Sequence, residues 1–393
     1  MLTRRSFLTT LGAAGGGVVA MPLVSRRGHE ALLAQGTDAR RADRLMAARP
    51  GVIRIDSNEN PYGPGETVFA TIRAHLAESN RYPVKSEDDL AATIAGVHGI
   101  KQENVILGSG SGELLRAAVS AFTSREHGVV SPEPTFEAPA NWARFIGAPV
   151  IAPPVDAELR LDLDAMADRG KGAGLCYFCN PNNPTATVHG STDVIVYVDS
   201  VNRSSPNTTV LIDEAYFEYV EAPDYATAIP LALANPRVVV TRTFSKVFGM
   251  AGLRVGYAIG QPATLAKMAA WLLGSNVSQL SLVAAAVTVG NGRHIAVEQR
   301  RNRVNRTSLR AFFEKAGYRV AKSDANFMMV DIKRDARQFK VDCLKHNVAV
   351  GRQFASLPTW TRVSLGTATE MRAATRVFAR VLAAPPSTTG PGG

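Results

Sequence analysis

Thr241-Arg242-Thr243-Phe244-Ser245-Lys246-Val247-Phe248-Gly249-Met250-Ala251-Gly252-Leu253-Arg254-Val255-Gly256-Tyr257 sets a lone lysine between two apolar runs that read as strands, 238–242 and 255–259. Phe244, Val247 and Phe248 flank Lys246 and take water from its amine, favouring the neutral form that attacks an aldehyde carbonyl. Thr243, Ser245 and Arg254 add the hydroxyl and guanidinium donors that a phosphate dianion needs. A lysine after a strand is ordinarily a solvated side chain. The apolar flanks and the anion donors together argue for chemistry instead.

Upstream, Val210-Leu211-Ile212-Asp213-Glu214-Ala215-Tyr216 is an apolar strand that ends abruptly in polar groups. Ligands of open α/β sheets lie beyond the carboxyl ends of the strands, so Asp213 faces that crevice, where it can hold a pyridine nitrogen protonated. The plainer alternative is a surface carboxylate capping the next segment. Further upstream, N-V-I-L-G-S-G-S-G-E-L-L-R-A-A (104–118) reads as strand, glycine loop and helix. There the amides of Ser111, Gly112 and Glu113 can converge on a phosphate at the positive end of the helix. The spacing is not G-x-G-x-x-G and no Gly-Lys-Ser/Thr follows, so a nucleotide-binding fold is not supported. Taken alone, an ordinary tight turn stays open.

Around these stretches short apolar runs alternate with amphipathic ones, at 104–107, 128–131, 175–179 and 210–212 for strands and 113–122 and 264–273 for helices. That rhythm predicts an α/β fold with a mostly parallel sheet buried on both faces. From about Ser278 the texture changes to a long helical stretch, two or three strands and a last helix over 370–382. The expected organisation is a large domain over 61–275 and a smaller α+β domain over 276–383. An arm over 35–60 precedes them and a disordered tail over 384–393 follows. Of the formal net charge of +10, residues 1–54 hold +6, with nine Arg against Glu30, Asp38 and Asp43, and the rest is too weakly basic for a nucleic-acid surface. Cys176 and Cys179 form a C-x-x-C inside an apolar strand, where residues three apart point to opposite faces. Buried packing is therefore expected, with no metal site.

With these stretches in hand, the chain resembles the histidinol-phosphate aminotransferases, pyridoxal-phosphate enzymes of the aspartate-aminotransferase fold. S-N-E-N-P-Y-G-P, R-Y-P, G-S-G-S-G-E-L, P-T-F, N-P-N-N-P-T, D-E-A-Y, R-T-F-S-K-x7-R and R-V-S-L-G-T occur in the family's order from about residue 55 to 377. The resemblance implies that Lys246 holds pyridoxal phosphate covalently, that Asp213 pairs with its pyridine nitrogen, and that Asn183 and Tyr216 bond its phenolic oxygen. It implies Phe136 against the ring and a phosphate held by Ser111, Gly112, Glu113, Thr243, Ser245 and Arg254. Tyr82 is implied to reach in from the second subunit of a homodimer. Arg362 matches the family's substrate anion clamp, and Arg352 and Tyr62 are candidates beside it. The expected partners are a small-molecule amino donor and a 2-oxo acid.

Departures from the family pattern are Ala186, where a glycine is usual, and Gly112, where relatives commonly carry an acid. Thr3-Arg4-Arg5-Ser6-Phe7-Leu8 before an apolar stretch resembles a twin-arginine signal, so residues 1–34 read as an address for export of the folded protein without stable membrane insertion. Two other classes stay open on these residues. One is a pyridoxal-phosphate lyase of the same fold, since the cofactor allows cleavage of any bond to Cα. The other is a non-catalytic regulator joined to a DNA-reading module, against which residues 26–60 leave no room for one.

Overall fold

The computed structural model describes residues 45–385, so the expected signal segment and all but the first two residues of the expected tail lie outside the described residues. Residues 45–49 belong to a separate N-terminal unit, and the second unit begins at Pro50. The strands of this second unit are β1 (Ile53–Ile55), β2 (Val105–Gly108), β3 (Val129–Val130), β4 (Val150–Ile151), β5 (Leu175–Cys179), β6 (Thr209–Asp213), β7 (Val238–Thr243), β8 (Gly256–Ile259), β9 (Arg319–Val320), β10 (Phe327–Asp331), β11 (Val348–Val350) and β12 (Trp360–Ser364).

Seven of them form one sheet in the order β2-β8-β7-β6-β5-β3-β4, in which β8 alone runs against its neighbours. The sheet is thus mostly parallel, as the continuous apolar runs require when both faces are covered. Alternate residues feed two separate cores: Cys176, Phe178, Val210 and Ile212 pack into one, and Leu175, Tyr177, Cys179 and Leu211 into the other. Cys176 and Cys179 therefore lie on opposite faces as buried free thiols. Strand β6 runs one residue further at each end than its apolar stretch. Asp213 becomes its last residue, in register with Cys179 on one side and Thr241 on the other. That register puts the ends of three parallel strands around one carboxylate.

A third core gathers Ile55, Leu309, Phe313, Met328, Val330, Phe339, Val348 and Phe378 around the sheet β12-β10-β9 and the parallel pair β1-β11. The final helix, Ala368–Ala383, starts on a capping box between Thr367 and Glu370. Helix Gln279–Ala286, apolar nearly all round, gives Leu282, Ala284 and Ala285 to the core of the seven-stranded sheet. The long helix Gly292–Lys315 packs Ile295 against that core and Leu309 and Phe313 into the third, while Ala325 and Phe327 return to the first. Strand β1, within the stretch expected as the N-terminal arm, contributes to this third core through Ile55, which is fully buried there.

Ala186, the expected departure, sits at φ 62 and is fully buried. The left-handed backbone costs an L-residue about 1–2 kcal/mol. Burial of its methyl returns about 0.8 kcal/mol. Part of that strain is offset, which helps explain how the chain keeps a side chain where glycine is easier.

Candidate active site

Asp213 stands at the carboxyl end of β6, 2% exposed. Its Oδ2 accepts from the Tyr177 hydroxyl at 2.9 Å and its Oδ1 from Thr241 Oγ1 at 3.1 Å. Burial pushes the carboxyl up to about 6, against the pull of those two donors and of the Lys246 charge. Glu214, next along the chain, turns the other way. Its carboxylate forms a buried ion pair with Arg242 at 2.7 Å and accepts from the Ala228 amide at 2.6 Å, which braces the strand ends from behind.

Lys246 lies in the loop after β7, its Nζ donating to the Asn58 carbonyl at 3.2 Å and standing 5.3 Å from the Tyr216 ring centroid. Burial, with help from the Arg362 charge, lowers its ammonium to about 8. An ordinary lysine holds its proton to about pH 10.4. The neutral amine is therefore present near pH 8, about two orders of magnitude more abundant than on a solvated lysine. Capture of a small aromatic aldehyde by the cofactor-free protein, trapped with borohydride and located by mass spectrometry, is expected to rise with pH and reach half its limit near pH 8. A midpoint above about pH 10 would contradict this assignment.

The Tyr216 hydroxyl accepts from Asn58 Nδ2 at 3.2 Å, and its ring meets Phe327 edge-on at 5.0 Å. Burial holds the phenol well above its ordinary range, so it stays a proton donor. Asn183 Oδ1 accepts from Arg362 at 2.8 Å, and a second Arg362 nitrogen donates to the Asp56 carbonyl at 2.6 Å. The Nε of Arg362 is buried beside Gly351 with no hydrogen-bond partner among the described residues. Arg352 and Arg362 both stand over the Phe354 ring, at 4.2 and 5.9 Å. Arg352 is held by Glu137 at 2.5 Å, so an incoming anion competes with that carboxylate for it.

A second anion cradle forms where the helix Ser111–Phe122 begins. Gly110, at φ 76, precedes it without a side-chain cap, and the leading amides of Ser111 and Gly112 have no intrahelical partner. A Cβ at Gly110 would overlap the Arg254 guanidinium, and one at Gly256 would overlap the Ser111 amide. Glycine at both positions lets helix end, strand β8 and arginine close on one small volume. Arg254 donates to Ser245 Oγ at 3.4 Å, and Ser245 Oγ in turn accepts from Thr243 at 2.9 Å. The Glu113 amide, by contrast, donates to the Gly110 carbonyl at 3.3 Å, and its carboxylate folds back on the Ser109 amide at 2.7 Å and on Asn276 at 2.6 Å. Two helix amides, two hydroxyls and a guanidinium remain for a phosphate.

Phe136 is half-buried against the Leu175–Tyr177 core, on a loop tied to N-P-N-N-P-T by Thr135 Oγ1 donating to Asn182 at 2.7 Å. Tyr62 lies under Arg301 at 4.1 Å and accepts from the Ala368 amide at 3.4 Å. Tyr82 is 86% exposed and, among the described residues, makes no hydrogen bond or ring contact with the site of its own chain. Three residues of the site are not among those expected: Asn58, Tyr177 and Thr241. Asn58 lies within the quoted S-N-E-N-P-Y-G-P, and Thr241 is the register partner of Asp213, whereas Tyr177 carries no signal beyond an apolar strand.

The model of the family "Aminotransferase class I and II" matches residues 50–378. The histidinol-phosphate aminotransferase of Symbiobacterium thermophilum is 34% identical over 324 residues, 82% of this chain and 88% of that one. Among solved structures, the histidinol-phosphate aminotransferase of Sinorhizobium meliloti in complex with pyridoxal-5'-phosphate superposes with a TM-score of 0.81 at 24% identity, over 87% of this chain and 94% of that one. A mutant of Thermus thermophilus aspartate aminotransferase gives 0.73 at 19%, over 86% and 98%. The chain belongs to the class I and II aminotransferases, pyridoxal-phosphate-dependent transaminases of the aspartate-aminotransferase-like fold. The residues present fit that cofactor: an amine with a lowered proton affinity, a carboxylate at a strand end and a glycine-lined phosphate cradle converge on one cleft.

Proposed function

We propose that the chain moves an amino group from an amino acid or amino-alcohol phosphate, histidinol-phosphate-like in its chemistry, to a 2-oxo acid. The observation that carries this is the Arg362–Arg352 pair over the Phe354 ring, with the Arg362 charge close enough to Lys246 to help lower its ammonium. A carboxylate and a phosphate both suit guanidinium forks. When bound, pyridoxal phosphate supplies the electron sink that makes the substrate Cα–H acidic. Asp213 would hold its ring nitrogen, Asn183 and Tyr216 its phenolic oxygen and Phe136 its ring, while Ser111, Gly112, Thr243, Ser245 and Arg254 would hold its phosphate. Lys246 would hold the cofactor covalently, and its amine, made less basic by burial, would be the base that takes the proton from the substrate Cα. Tyr82 would complete the phosphate cradle of a second subunit in a homodimer.

The test is a screen of amino donors with 2-oxoglutarate. Glutamate formation from a donor bearing a phosphate or carboxylate supports the proposal, and carbon dioxide without glutamate indicates a lyase. The Thr3–Leu8 motif further supports export of the folded enzyme by the twin-arginine route. Export would separate it from a cytoplasmic histidine pathway, so the donor is defined by its anion and amine rather than by that pathway. Changing Arg4 and Arg5 to Lys is expected to trap active enzyme in the cytoplasm, as read by activity in cell fractions. An unmodified protein found wholly in the cytoplasmic fraction would refute export.

A further inference from the structure

We infer that Tyr177 is a positioning residue, whose hydroxyl acts with that of Thr241 to aim the Asp213 carboxylate at the cofactor's ring nitrogen and to keep it charged. The inference rests on the reading of Asp213 as the ring-nitrogen partner. Tyr177 occupies the middle of Leu-Cys-Tyr-Phe-Cys, a run in which every residue is buried, and a phenylalanine would pack there equally well. A hydroxyl in such a place is unfavourable by a few kcal/mol unless it finds an acceptor. The acceptor it finds is Asp213 Oδ2, at 2.9 Å. Thr241 supplies the matching donor to Oδ1 from the opposite neighbouring strand.

Both carboxylate oxygens are thus pinned, one from β5 and one from β7, and neither can rotate without leaving a buried donor unpaired. Each oxygen keeps lone-pair capacity for a cation in the crevice beyond the strand ends. The groups facing Asp213 are Tyr177 and Cys179 from β5, Lys246 from the loop after β7 and Tyr216 on its own loop. Only Lys246 among them can carry a positive charge, and it is the group that gives up its proton for the reaction. The Tyr177 and Thr241 hydroxyls, ahead of the Ala215 amide, are what remain to stabilise the anion when Lys246 is neutral. The Tyr177 phenol is held well above its ordinary range by burial, so it donates throughout the working pH range.

The test uses Tyr177→Phe, which removes one oxygen and leaves the ring. In the cofactor-free protein with carbon-13-labelled aspartate, the infrared band of the protonated carboxyl that is absent from Asp213→Asn reports this group alone. Its titration midpoint is expected to rise by about one pH unit on losing a charge-assisted bond. In the holoenzyme kcat is expected to fall by up to about tenfold on the acid limb of its pH profile, which is displaced upward, and by about twofold at neutral pH, with the KM of the donor little changed. An unmoved midpoint and an unmoved acid limb in a folded variant overturn the inference. If Tyr177→Phe does not fold, the same two measurements on Thr241→Val decide in the same way. A wild type that never turns yellow with pyridoxal phosphate would instead defeat the reading of the site, and the infrared titration is independent of that outcome.

Discussion

Lys246→Ala is expected to give a folded protein without turnover and without the yellow colour that the wild type takes up with pyridoxal phosphate. The side chain contributes little to the fold. Its described bond is a single one to the Asn58 carbonyl, and burial already weakens its charge. Its chemical contribution is large, because positioned general bases are worth roughly 10²–10⁴-fold and covalent attachment is lost as well. No other lysine in the chain follows a strand and a serine with an arginine eight residues on. Borohydride reduction followed by peptide mapping should place the cofactor on Lys246 in the wild type and nowhere in the variant. Turnover within about a hundredfold of wild type would place the base elsewhere.

The parts of the fold and site that are legible in the sequence obey local rules. Strand β5 has the bounds that its apolar run predicts, and Lys246, Asp213 and the glycine loop stand out by residue type at strand ends. The rest depends on partners distant in the chain. Tyr177 reads as packing until β6 is laid beside it. Asn58 becomes part of the site only when Tyr216, Lys246 and Ser364 close around it, the last at 2.7 Å from its side chain. Arg352 reads as a free clamp, yet Glu137, remote in sequence, occupies it. The amide of Glu113 reads as a phosphate donor but is engaged by the Gly110 carbonyl as the helix tightens at its start. Periodicity reports which face of an element is buried. It does not report what a buried polar tip will find there.

Asp213→Asn is expected to change stability and activity in opposite directions. The amide matches the carboxylate in shape, and the hydroxyls of Tyr177 and Thr241 can accept as well as donate, so the variant keeps its bonds at the end of β6. In the cofactor-free wild type the folded carboxyl lies at about 6 against an ordinary value of 3.8. A carboxyl raised by folding contributes stability that is fully present below the unfolded value and lost as pH rises through the folded one. The wild type should therefore lose about 3 kcal/mol from this group between about pH 4 and 7, and Asp213→Asn should not. Comparing the variant's urea midpoints with the wild type's across that range measures the difference. With cofactor bound the balance reverses, because a neutral amide cannot hold the ring nitrogen as a cation. Preorganised electrostatic groups of this kind contribute about 3–4 kcal/mol to the transition state, a loss of roughly 10²–10³ in kcat. A variant no more stable than wild type at about pH 7, yet within about tenfold of its activity, would show that Asp213 is ordinary core polarity and that another residue governs the ring.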